Sequence, residues 1–345
     1  MRSSHRIVAL HFGIAVVLSL TLNVLGMSTS ASAQPTSSGS EERERGIQLY
    51  KQGDAKGAVT QLQAALRKNK DDPKSWYYLG LSLTRDGQYK EASKAYEAVM
   101  KLQPDWASAR AGLAFTLLLR NRLDAALSEA ERALAIDSGL VDAYYTIGVV
   151  RLRNGDSDKA LEAAEAVIRL NPNYAQGYLL KSQALVSFFQ GTELPSNDES
   201  KERRKARYKE AAESLEKYLK LSPGTKSEAT WHEQLEALQF MIGESGDART
   251  TFSAQEVTVQ ARVLTRQEPS YTERARRNEV SGTVILRAIF TADGQVNHIF
   301  VVRGLPDGLT EQSIAAARTI KFTPATRDGK PVSMWMELQY NFSLY

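Results

Sequence analysis

The spacing of hydrophobic positions changes character twice along the chain. Residues 7–27 form a mostly apolar run, preceded by Arg2 and Arg6 and broken only by His11, Ser19, Thr21, Asn23 and a few small residues. From residue 39 to 242 apolar positions recur at helical spacing. From 255 to the end they alternate every second residue, the period of half-buried strands. The expected organisation is therefore a leader (1–33), a polar linker (34–38), a helical region (39–242), a short linker (243–254) and a strand-rich C-terminal domain (255–345).

The leader reads as an export signal. A positive start is followed by the apolar run, and Ala31-Ser32-Ala33 supplies the small-x-small pattern at which such signals are cut. The run also approaches the length needed to cross a bilayer, so an uncleaved anchor is the alternative.

The helical region repeats itself. Ala58, Ala92, Ala126 and Ala160 are spaced 34 residues apart, as are Gly46 and Gly80, while Pro104 and Pro172 are separated by 68. An aromatic recurs in the same phase at Trp76, Tyr144 and Tyr178. A period of this length predicts one helical hairpin per unit, with small residues where the two helices approach and prolines ending the second helix. Units fall at 39–72, 73–106, 107–140 and 141–174. A split fifth has its second helix over 208–221, its surplus residues in a charged loop (191–206), and a capping helix (227–241) after it.

These residues resemble the tetratricopeptide repeat: Trp76, Leu79-Gly80, Ala92, Tyr96 and Pro104, and again Tyr144, Ile147-Gly148, Ala160 and Pro172. The resemblance implies a curved solenoid whose groove is lined by the first helices. Carried over position by position, that lining is Ile47, Tyr50, Tyr77, Leu81, Phe115, Leu118, Tyr145, Val149 and Leu152. A set so apolar suits an apolar peptide or helix from a partner protein; the alternative is that these side chains pack between neighbouring hairpins.

In the C-terminal domain, 257–263 alternates as a short strand and 271–278 is helix-prone. Strands follow at 282–290 and 296–303 around the turn Ala292-Asp293-Gly294. Thr310 is placed to cap a helix over 310–321. The last strand alternates from Val332 to Leu344, with Met334, Met336, Leu338, Tyr340 and Phe342 on one face. The order suits a small α+β domain with one apolar sheet face.

Pro269-Ser270-Tyr271, Val280-Ser281-Gly282-Thr283-Val284, Asp293-Gly294-Gln295-Val296 and the run Phe322-Thr323-Pro324-Ala325-Thr326-Arg327-Asp328-Gly329-Lys330-Pro331-Val332 resemble the C-terminal domain of the TonB family. The resemblance implies a periplasmic module that takes up a short extended segment of a TonB-dependent outer-membrane receptor by strand addition. It places the receiving edge on the last strand, with Trp335, Glu337, Gln339 and Asn341 as candidate contacts. Energy-transducing members also carry a Ser-x-x-x-His pattern in the N-terminal helix and a long Pro-rich spacer. Neither is found in this chain, where His11 follows Ile7 by four residues and the prolines number 10.

Composition narrows the chemistry. With no cysteine, thiolate catalysis, disulfides and thiolate metal sites are excluded. The charge of +4 falls to about +2 without the leader arginines, which gives no case for nucleic acid. No phosphate-binding glycine motif occurs, and His298 has no metal-ligand spacing to another histidine. The expectation is a non-enzymatic envelope adaptor with protein partners and no catalytic residue, cofactor or metal, touching membrane only through an uncleaved leader. An anchored energy transducer and a homodimer paired through the terminal strands are the alternatives.

Overall fold

The structure, a computed structural model, describes residues 39–187, 198–225, 228–243 and 251–344. The expected leader, most of the loop after residue 187 and most of the linker after 243 lie outside these residues. The chain divides into two compact units, Met1–Pro104 and Asp105–Tyr345.

In the first unit, α1 (Ser40–Lys51) and α2 (Ala55–Lys68) form one hairpin, and α3 (Pro73–Asp86) and α4 (Tyr89–Leu102) the next. Asp54 and Asp72 start α2 and α3 by accepting hydrogen bonds from the Gly57 and Lys74 amides, and Gly87 ends α3 in the left-handed region. Ala58 and Ala92 are fully buried. A Cβ on Gly80 would stand 2.8 Å from the Tyr96 ring, so only glycine lets α3 come this close to α4.

The second unit continues with α5 (Ala107–Leu119), α6 (Leu123–Ile136), α7 (Val141–Arg153), α8 (Ser157–Leu170), α9 (Ala175–Ser187), α10 (Asp198–Leu221) and α11 (Glu228–Ile242). Ala126 and Ala160 are again fully buried. The second helix of the fifth unit begins at Asp198 rather than at 208, so the loop is shorter than the sequence reading made it. The charged run from 198 to 207 consists largely of Glu, Lys, Arg and Ala, strong helix formers that continue the helix instead of interrupting it.

A small α+β domain follows. Its sheet has the order β1 (Thr251–Phe252), β7 (Lys330–Phe342), β3 (Gly282–Phe290), β4 (Val296–Arg303), and β6 (Ala325–Arg327) pairs with the start of β7. β3 and β7 run antiparallel in unbroken register from Gly282–Phe342 to Phe290–Met334. On one face Val284, Leu286, Ala288, Phe290, Leu338, Tyr340 and Phe342 pack on Ile314, Ala317 and Ile320 of the α13 region (α13, Leu309–Arg318) and on Ala275 of α12 (Glu273–Arg277). The strand expected over 257–263 is displaced. Val259 makes one bridge to Thr326, and the ladder proper is β2 (Arg262–Thr265) with β5 (Lys321–Thr323).

Thr310 does not cap α13. Its hydroxyl bonds the Leu305 amide and carbonyl, both at 2.8 Å, tying the end of β4 to the helix, and Gly308 takes the cap position with φ 87°. The second face of the sheet is also apolar: Ile285, Ile289, Phe300 and Val302 are buried, and Phe300 joins Tyr208, Leu215, Leu238 and Ile242 of the last helices in one cluster. The expectation of a single apolar face therefore fails, because the terminal helices of the solenoid cover the other.

Candidate partner-binding site

Sheet edges expose unpaired backbone groups and are where a partner strand can be added. The β4 edge is closed from within the chain. Gln234, on α11 and 6% exposed, accepts from the Val301 amide at 2.8 Å and donates to the Ile299 carbonyl. One side-chain amide thus does there what a neighbouring strand would do. Beside it, β4 carries a bulge at which His298 takes φ 48° and stacks on Phe240 with ring centroids 4.6 Å apart. His298 is thus packed against α11, and among the described residues no cluster of His, Asp and Glu could hold a metal.

The outer edge of β7 is only partly covered. β1 pairs in parallel with Ser333 and Met334, and no described strand pairs with that side beyond them. Strand alternation turns the backbone N–H and C=O groups of even-numbered residues towards β3 and those of Glu337, Gln339 and Asn341 outwards. Consistent with this, the Arg266 guanidinium, lying 4.1 Å from the Tyr340 ring centroid, donates to the Gln339 carbonyl. Burial pushes the Tyr340 hydroxyl above its ordinary range, against the opposing pull of Arg266.

The four edge residues singled out from the sequence have different surroundings. Glu337, Gln339 and Asn341 are exposed; Gln339 donates to Glu337 at 2.8 Å, and Thr283 donates to Asn341 at 2.7 Å. Trp335 is half-buried against Phe240 and Phe300, at centroid distances of 6.3 and 5.9 Å, with the Arg287 guanidinium 5.2 Å from its ring. One face of this indole is thus engaged within the chain. Gln234, Arg266 and Phe240 escaped the sequence reading, because nothing in local spacing ties them to strands some 65 to 95 residues downstream.

The nine groove positions also divide. In the first unit Ile47 and Tyr50 are buried, whereas Tyr77 and Leu81 are half-buried. Arg85 lies over the Tyr50 ring at 4.1 Å and donates to the Tyr50 carbonyl at 2.6 Å, so Tyr50 is part of the packing. In the second unit Leu118 and Leu152 are buried; Phe115, Tyr145 and Val149 are half-buried. Ile47, Tyr50, Leu118 and Leu152 thus have their apolar surface already removed from solvent by packing within the chain.

Phe115, Tyr145 and Tyr174 form a row with centroid spacings of 6.4 and 5.8 Å. At its end the Tyr174 hydroxyl donates to Asp142 at 3.1 Å. Burial pushes the Asp142 carboxyl up to about 6, which the Tyr174 hydrogen bond opposes, and pushes Tyr145 up to about 12. Burial likewise lowers Arg153 to about 10, though it donates to the Leu118 carbonyl at 3.2 Å.

Comparison with known proteins agrees with these two architectures. Residues 43–92, 80–140 and 141–174 match tetratricopeptide repeat families, and residues 267–344 match the family described as Gram-negative bacterial TonB protein C-terminal. The chain carries tetratricopeptide repeats followed by a TonB C-terminal domain. Photosystem I assembly protein Ycf3 of Rippkaea orientalis is 27% identical over 154 residues, 45% of this chain and 69% of that one. Cytochrome c-type biogenesis protein CycH of Bradyrhizobium diazoefficiens is 28% identical over 162 residues, 46% of this chain and 44% of that one. The match to the CTR9 homolog of Arabidopsis thaliana spans 13% of that protein.

Among solved structures, a thermophilic tetratricopeptide protein of Thermus thermophilus is 18% identical with a TM-score of 0.45, over 58% of this chain and 98% of that one. MamA of Desulfovibrio magneticus is 23% identical with a TM-score of 0.42, over 55% and 97%. Both domain types are protein-interaction modules, and the C-terminal one points to the Gram-negative cell envelope. Among the described residues no helix is long and apolar enough to cross a membrane.

Proposed function

We propose that the protein is a non-enzymatic adaptor of the periplasm, exported by its leader, which takes up an extended segment of an outer-membrane receptor at β7 while its repeats hold a second protein. The observation that carries the reading is the asymmetry of the sheet: Gln234 closes the β4 edge, whereas β7 leaves Glu337, Gln339 and Asn341 unpaired by any described strand on its outer side. Main-chain pairing there supplies affinity, and the exposed side chains beside it supply selectivity. In the second unit the half-buried Phe115, Tyr145 and Val149 are the repeat positions left for the second partner, and in the first unit Tyr77 and Leu81 are half-buried likewise.

The test is capture from envelope extracts with the intact chain and with Glu337→Pro. Proline at 337 removes an outward N–H but none of the bonds to β3. Loss of outer-membrane receptors from the captured set, with the solenoid's partners retained, is the expected result. An unchanged set overturns the reading. A mature N-terminus at Gln34 separates this adaptor from an anchored transducer.

A further inference from the structure

Where α10, α11 and β7 meet, a cavity of about 270 Å3 is lined by the apolar Tyr208, Phe240, Met241 and Trp335 and by the charged Glu202, Arg204 and Lys205. Tyr208 and Phe240 are buried, and Trp335 is half-buried against Phe240 and Phe300. Burial holds the Tyr208 hydroxyl above its usual range even though Arg204 and Arg287 lie close enough to oppose that.

We propose that this cavity is a specificity pocket of the β7 edge: it takes a large apolar side chain of the added strand, flanked on the same face by an acidic one. The inference rests on strand addition at β7 and goes beyond it in naming what the strand must carry. The geometry follows from sheet dimensions. A neighbouring strand lies about 4.8 Å from β7, with its same-face side chains about 7 Å apart. A residue added opposite Trp335 or Glu337 therefore projects its side chain beside the indole, into the cavity. The next residue on that face comes near the charged part of the lining, where Arg204 and Lys205 outnumber Glu202. The solenoid thereby selects which strands the C-terminal domain accepts.

The test uses the full chain and a synthetic blocked heptapeptide, Glu-Thr-Phe-Thr-Val-Thr-Val, with two variants in which its Phe is replaced by Gly or its Glu by Lys. Binding is followed by the indole resonance of Trp335. The Phe peptide is expected to bind at least tenfold more tightly than the Gly peptide, and the Glu peptide more tightly than the Lys peptide. Met241→Trp, which fills the pocket, should abolish the preference for Phe and leave the Gly peptide's affinity unchanged. Lys205→Glu should reverse the preference for Glu.

Equal binding of the Phe and Gly peptides, both lost in Glu337→Pro, overturns the pocket and leaves strand addition standing. Binding of neither peptide to the intact chain overturns both. A concentration-dependent dimer that the Phe peptide does not dissociate assigns the edge to a second copy and overturns the pocket as a partner site.

Discussion

Gln234→Leu is the substitution that most directly tests how the solenoid closes the β4 edge. Leucine keeps most of the side-chain volume but can neither accept from the Val301 amide nor donate to the Ile299 carbonyl. Both residues are buried, Ile299 at 6% and Val301 at 5% exposure. An orphaned buried group costs about 1–3 kcal/mol, so losing both, with some relaxation, costs about 2–4 kcal/mol. Hydrogen exchange reads this locally. A loss of about 2 kcal/mol raises exchange at the Val301 amide about 30-fold if that region opens as a unit. Gln234→Glu keeps the acceptor for Val301 and places a carboxylate against the Ile299 carbonyl, so its effect should shrink as the pH falls and the carboxyl can donate. Exchange at Val301 that changes less than threefold in Gln234→Leu would refute the reasoning, because the edge would then be held by something other than that amide.

Three further outcomes follow from the packing. The Asp142 carboxyl is raised to about 6, so the unfolded chain loses this proton first. Stability should therefore fall as pH rises from about 4 to 6, by at most about 3 kcal/mol, and urea unfolding of Asp142→Asn should show a flatter pH profile. Gly148→Ala puts a Cβ within 2.5 Å of Leu180, and overpacking of this kind should lower stability by about 1–3 kcal/mol by the same assay. Arg266→Ala frees the Gln339 carbonyl and should strengthen peptide uptake at β7, whereas weaker uptake would mean that Arg266 is itself a partner contact.

The repeats were legible because their signal is local: an alanine or glycine every 34 residues marks where helices touch, whatever lies further along the chain. The β7 alternation was legible for the same reason. The extent of α10 was not, because a charged run suits a solvated helix as well as a loop. The second apolar face of the sheet is visible only as the near-continuous run from Val284 to Phe290, which suits a strand buried on both sides as well as one with simple alternation. The closure of β4 and the cavity beside Trp335 depend on Gln234, Tyr208 and Phe240 meeting strands far away in sequence, and no pattern in one chain announces such a meeting.

The central claim is that partners are added to the outer side of β7. Amide exchange of the full chain, alone and bound to the receptor it captures, tests this most directly. In the free chain, Glu337, Gln339 and Asn341 should exchange fast while Leu338 and Tyr340, bonded to β3, are slow; on binding, those three should become protected and Val301 should not change. Protection of those three amides in the free chain, or new protection confined to β4, would contradict the account.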